Sequence, residues 1–156
     1  MLQPGTAFPQ FALPNQDGKI TKLSDFKGQW IVIYFYPKDD TPGCTTQGRA
    51  FTASKADYDT AGVKVLGVSQ DDVTSHKNFH HKFAFKIDLL SDVNAELIKG
   101  VGLGQHEWQG LTLWDRTSFV VDPHGIVRKV YEQVNPEGHE RVLLDDIEAL
   151  RGTAAA

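Results

Sequence analysis

Trp30-Ile31-Val32-Ile33-Tyr34-Phe35-Tyr36 is an unbroken β-branched and aromatic run, too short for a helix and apolar at every position. Successive strand residues face opposite sides, so a run without polar alternation belongs at the centre of a sheet covered on both faces. Pro37 ends it. The loop Pro37-Lys38-Asp39-Asp40-Thr41-Pro42-Gly43 follows, and the spacing of Phe51, Ser54/Lys55, Tyr58 and Ala61 predicts a helix ending at Gly62. Val63-Lys64-Val65-Leu66-Gly67-Val68-Ser69 reads as the next strand. Strand, helix, strand in so short a span is a right-handed βαβ crossover, so the sheet is at least partly parallel.

Upstream of this unit, Asn15-Gln16-Asp17-Gly18 lies between apolar Phe8, Phe11, Leu13 and Ile20, Leu23, which predicts a hairpin. Downstream, a helix is expected from Val73 to Phe83 with Val73, Phe79 and Phe83 inward, then a strand at Ile87–Leu90 and a helix at Asn94–Lys99. Gly100 to Asp115 carries Gly100, Gly102, Gly104 and Gly110 without a sustained period and reads as loop. Thr117–Asp122 and Ile126–Tyr131, joined by Pro123-His124-Gly125, predict an antiparallel hairpin. A last helix from Glu137 to Leu150 carries Val142, Leu143, Ile147 and Leu150 on one face, with 152–156 a tail expected to fray. The sum is an α/β, thioredoxin-like fold: a central mixed sheet flanked by helices, with an N-terminal β-hairpin extension. One domain is expected over 1–156, since about 100–200 residues per domain is usual.

The 156 residues carry 16 basic and 20 acidic side chains, a formal charge of −4, and no run of Lys/Arg interleaved with aromatics. That excludes counterion release as a drive onto nucleic acid. No apolar run approaches the roughly 18 residues of a membrane span, and the N-terminus has no basic segment followed by an apolar stretch, so no membrane association and a cytoplasmic location are expected. There is one cysteine. Cys44 has no intrachain partner for a disulfide and no second thiolate for a multi-thiolate zinc site, so it acts as a single thiol, a sulfur ligand or a small buried hydrophobe.

Position favours the thiol. Cys44 follows Pro42-Gly43 at the start of a helix that springs from the carboxyl end of a central strand, where the helix dipole and free N–H groups of Gly43 and Cys44 favour an anion. The thiolate is the nucleophilic form. Thr41, three residues earlier, can bring a hydroxyl beside the sulfur, and two prolines stiffen the loop. From the residues alone the buried-hydrophobe reading of Cys44 stands beside this one, as a surface ion pair does for Arg116 and an exposed helix position for Gln47.

Pro37-Lys38-Asp39-Asp40-Thr41-Pro42-Gly43-Cys44-Thr45 resembles the active-site signature of the peroxiredoxins, most closely the Q-type subgroup, also called bacterioferritin comigratory proteins. The likeness extends through Ile33–Lys38, Gly62–Ser69, Leu90-Ser91-Asp92 and Arg116-Thr117-Ser118-Phe119, and is weakest over Gly100–Asp115. It implies Cys44 as peroxidatic nucleophile, Thr41 and Gly43 as groups that place the peroxide, Arg116 as the guanidinium that stabilises thiolate and developing charge, and Pro37 as a shield over the pocket. Gln47 stands where the subgroup carries glutamate or glutamine. Where many Q-type proteins carry a resolving cysteine, this sequence has Arg49 or His80. The resemblance therefore implies a one-cysteine cycle: hydrogen peroxide or a small organic hydroperoxide oxidises Cys44 to a sulfenic acid, and an external thiol (thioredoxin, glutaredoxin or glutathione) restores it. A monomer or weak homodimer is implied. A redox sensor or binding module, oxidised once without efficient turnover, is the alternative.

No cofactor and no metal are expected. His76 and His80 share one helical face at i, i+4, but with only Asp72 as an obvious third donor they, with His81, read as a solvated face. Asp39 and Asp40 read as solvated turn carboxylates.

Overall fold

The computed structural model describes residues 1–155. In chain order the elements are β1 (Ala12–Pro14), β2 (Ile20–Lys22), β3 (Trp30–Phe35), α1 (Pro42–Ala53), α2 (Lys55–Ala61), β4 (Val63–Ser69), α3 (Val73–Lys82), β5 (Asp88–Ser91), α4 (Glu96–Val101), β6 (Gln105–Trp108), β7 (Leu111–Trp114), β8 (Thr117–Val121), β9 (Val127–Tyr131) and α5 (His139–Ala155). The five-stranded sheet has the order β5-β4-β3-β8-β9. β3 is its middle strand, parallel to β4 and antiparallel to β8, so the sheet is mixed. This is the expected thioredoxin-like arrangement, with β1 and β2 forming the antiparallel N-terminal hairpin.

Every residue of β3 is buried, because the sheet separates two apolar layers. Ile31, Ile33 and Phe35 enter one, with Leu66, Val68, Leu90 and Phe119. Trp30, Val32 and Tyr34 enter the other, with Phe51, Tyr58, Phe79, Leu143 and Cys44. The period-2 geometry of a strand sends neighbours to opposite faces, and full burial on both explains the unalternating sequence. The β1–β2 turn is docked by Gln16, whose Oε1 accepts from the Leu89 N–H at 2.9 Å and whose amide donates to Asp88 at 3.0 Å. The hairpin thus occupies backbone that edge strand β5 would otherwise expose.

Four expectations need correction. The single helix ending at Gly62 is two, α1 and α2, broken at Ser54 (φ −93°, ψ 6°), and the break lets Tyr58 meet Phe51 edge-on at 5.8 Å. Gly62 does end the pair, in the left-handed region (φ 71°). On α5 the inward residues are Leu143, Leu144 and Ile147, while Val142 is exposed. The helix passes Leu150 to Ala155; of the tail expected to fray, Ala156 lies outside the described residues.

The largest difference lies in Gly100–Asp115, which is not loop but an antiparallel hairpin of β6 and β7. Gln109 (φ 48°) and Gly110 (φ 79°) make its two-residue turn, both with the positive φ that matches strand twist. Both strands are largely exposed, so no hydrophobic period marks them, and Gln-Gly is a weaker turn signal than Asn-Gly.

Candidate active site

Thr41 is the N-cap of α1, in extended backbone (φ −105°, ψ 158°), and Pro42 opens the first turn, where its missing N–H costs nothing. The first backbone bond of the helix runs from the Thr45 N–H to the Thr41 carbonyl at 2.9 Å. Gly43 and Cys44 therefore hold first-turn N–H groups with no intrahelical acceptor. An N-cap threonine ordinarily accepts from one of them, but here the hydroxyl donates away, to the Lys38 carbonyl at 2.7 Å.

Cys44 is 2% exposed, beneath this turn. Arg116, in the link between β7 and β8, donates Nη2–H toward Sγ at 3.5 Å and Nη1–H to Gln47 Oε1 at 2.8 Å. Gln47 is buried one turn along α1, and its Nε2 has no partner. An orphaned buried amide donor costs about 1–3 kcal/mol, so fixing the guanidinium is achieved against stability. Gly43 makes the approach possible: a Cβ there would lie 2.7 Å from Arg116 Nη2. Burial pushes the Tyr34 phenol well up, Cys44 beside it pushes the same way, and Arg116 opposes both. Tyr34 is thus a neutral wall of the sulfur's surroundings. Outside lies a pocket of about 140 Å³, lined by Pro37, Thr41, Gly43 and Arg116 from the expected set, by Pro42 between them, and by His106, Trp108 and Leu113 from the β6–β7 hairpin.

Beneath the loop lies a second set of polar residues. Asp39 is buried, not solvated: it accepts from the Tyr36 hydroxyl at 2.6 Å and the Ser75 hydroxyl at 2.8 Å, and faces His76 Nδ1 at 2.7 Å. His76 is wholly buried rather than part of a solvated face, and its Nε2–H donates to the Leu90 carbonyl at 2.9 Å. With Nε2 committed as a donor, one proton bridges Nδ1 and the carboxylate. Asp71 completes the set by accepting from the Asp39 N–H at 2.9 Å and the Ser69 hydroxyl at 2.6 Å. Asp39, Asp71 and His76 bring ligand-type atoms within 4.8 Å of one another. Those atoms are occupied by the hydrogen bonds just named, which tie the loop before α1 to α3. Asp40 keeps the surface role expected of it, paired with Lys82 at 2.7 Å.

Residues 4–130 match the AhpC/TSA family. The chain belongs to that family. Its relatives place it on the peroxiredoxin Q branch: it is 43% identical over 136 residues to a putative chloroplastic peroxiredoxin Q of Oryza sativa subsp. indica, covering 86% of this chain and 62% of the relative. The chain thus spans about 62% of the length of that plant protein. A cysteine variant of the Xylella fastidiosa PrxQ superposes with a TM-score of 0.91 at 30% identity, covering 97% of this chain and 98% of that one. A bacterioferritin comigratory protein of Xanthomonas campestris, described for its alkyl peroxide reduction activity, gives 0.84 at 37% identity, covering 96% and 97%.

Arg49 and His80 stand at the two places where the resemblance would put a resolving cysteine, and the chain has no cysteine at either. Arg49 is exposed on α1, its guanidinium 5.9 Å above the Phe83 ring, and His80 donates Nε2–H to the Ile87 carbonyl at 3.0 Å. Neither can close a disulfide with Cys44. Sequence reasoning missed Asp39, His76, His106, Trp108 and Leu113. The i, i+4 spacing of His76 and His80 marked a shared helical face, but nothing local told which residue of the pair turns into the protein.

Proposed function

We propose that this chain is a thiol peroxidase working through Cys44 alone. The Sγ thiolate attacks one peroxide oxygen; the S–O bond forms as the O–O bond breaks, and the departing hydroxide or alkoxide takes a proton from water. Cys44 is left as a sulfenic acid, oxidised by two electrons. The observation that carries this reading is the Arg116 guanidinium 3.5 Å from Sγ, at a helix start opening on a pocket. A fixed cation and the N–H groups of Gly43 and Cys44 stabilise both thiolate and leaving oxyanion, a contribution that commonly amounts to about 10²–10³ in rate per donor. Pro37 and Thr41 wall the pocket, and Gln47 positions Arg116.

With one thiol, recycling falls to an external thiol of the thioredoxin, glutaredoxin or glutathione class: it attacks the sulfenic sulfur, water leaves, and a second thiol releases the disulfide. Hydrogen peroxide and small alkyl hydroperoxides are the substrates of this reading, and a monomer or weak dimer is its working form. The alkyl peroxide reduction described for the Xanthomonas campestris relative supports the substrate class. The test is intact-mass spectrometry after one equivalent of hydrogen peroxide, followed by peroxide consumption with dithiothreitol. Wild type gains one oxygen and turns over; Cys44→Ser does neither. Consumption of a single equivalent with no recycling by any thiol would favour the sensor, and a Cys44→Ser variant at wild-type rate would overturn both.

A further inference from the structure

The β6–β7 hairpin brings a second chemical group to the pocket. His106 lines it together with Arg116, and its Nδ1 lies 2.7 Å from Asp115 Oδ1. Asp115 is itself held. Its N–H donates to the Gly104 carbonyl at 2.8 Å, and its Oδ2 occupies the space a Cβ on Gly104 would fill, 2.5 Å away. A carboxylate is an acceptor, so the ring proton sits on Nδ1, and Nε2 is left with a lone pair. The His106 side chain is 43% exposed, unlike Cys44, so an arriving molecule meets it from solvent.

We propose that His106, oriented by Asp115, is the general base of the reductive half-reaction, activating an incoming neutral thiol for attack on oxidised Cys44. This rests on the peroxidase reading above. The thiol sulfur bonds to the sulfenic sulfur as the S–O bond breaks; the thiol is oxidised by one electron equivalent and the sulfenic sulfur reduced by one. The thiol proton passes to Nε2 and from there to the departing hydroxide, which leaves as water. The product is a mixed disulfide on Cys44. A chain with its own resolving cysteine presents that thiol from within; this chain must accept one from outside, and an imidazole on the pocket wall supplies the base at the point of entry.

The experiment separates the two half-reactions. Cys44 sulfenic acid is generated with one equivalent of hydrogen peroxide, excess is removed, and the product is mixed either with dithiothreitol, mainly a neutral thiol at neutral pH, or with thionitrobenzoate, already a thiolate there. A base assists only the first. In His106→Gln the ratio of dithiothreitol to thionitrobenzoate rates should fall about 10-fold or more, within the usual range for general-base assistance. Asp115→Asn should lower the same ratio by a smaller factor, since the ring loses its orienting carboxylate. An unchanged ratio in His106→Gln overturns the proposal, whether both rates fall together or neither does. A wild-type chain that forms no sulfenic acid overturns the peroxidase reading and this one with it, and that is read before any thiol is added.

Discussion

Gly43 and Arg116 share a contact that only a hydrogen in place of a methyl allows. With a Cβ built at 2.7 Å from Nη2, Gly43→Ala forces the guanidinium to move, and its 3.5 Å approach to Sγ is the contact that yields. An arginine side chain moves at little energetic cost, so the melting temperature should hardly change. Sulfenic acid formation, read by stopped-flow mixing with peroxide, should slow by about 10²-fold, the usual effect of losing one oxyanion donor. A variant that reacts at the wild-type rate would show that Arg116 does not act through this contact. At this scale Cys44 was legible because a Pro-Gly pair before a helix announces free N–H groups. The partner of Gln47 was not, because 69 residues separate it from Arg116 and nothing local links them.

The loop ahead of α1 and the helix α3 act as one unit through Asp39 and His76. Removing one member of a buried hydrogen-bonded pair strands the other, at about 3–5 kcal/mol. His76→Leu and Asp39→Asn should therefore each destabilise the fold by an amount of that order in urea denaturation, and the double variant by less than the sum. A coupling of at least about 1 kcal/mol in that cycle is expected; strict additivity would deny the link. Both variants should also slow peroxide reduction, since Thr41 and Pro42 lie only two and three residues beyond the anchored Asp39. Elements with strong apolar runs, β3, β4 and β8, were legible from sequence because burial on both faces leaves an unalternating pattern. β6 and β7 were not: they are largely exposed, pair only with each other, and are four residues each, β6 mostly polar and β7 mostly apolar, too short to set a period against the glycines around them.

Across the whole molecule, α5 closes the sheet beside the candidate site, and its first residue makes stability depend on pH. His139 Nε2 lies 3.0 Å from the Ser118 hydroxyl, and its ring meets Tyr131 edge-on at 5.2 Å. Burial pulls its pKa from 6.5 down to about 4, with Asp146 opposing and Arg116 adding to the fall. Between those values the unfolded chain binds a proton that the native one refuses. The contribution is fully present above pH 6.5, is lost as pH falls toward 4, and levels off below; its size is at most about 3 kcal/mol. Urea denaturation of wild type and His139→Gln from pH 7 to pH 4 should show curves that converge as the pH falls. Parallel curves would mean that His139 takes up its proton over the same pH range in the native and unfolded states.

The sequence by itself determined the mixed α/β class, the central strand, both flanking hairpins of the core fold and the place of Cys44 at a helix start, because each is written in local periodicity or turn chemistry. On the peroxidase reading, its single thiol also leaves recycling to an outside reductant. Only the tertiary structure decided which groups surround that thiol. Arg116 and Gln47 meet across long chain separations, His76 faces Asp39 rather than solvent, and a hairpin without a hydrophobic pattern carries His106 and Trp108 to the pocket. Such encounters depend on how layers pack, and packing is a property of the whole chain that no window of sequence contains.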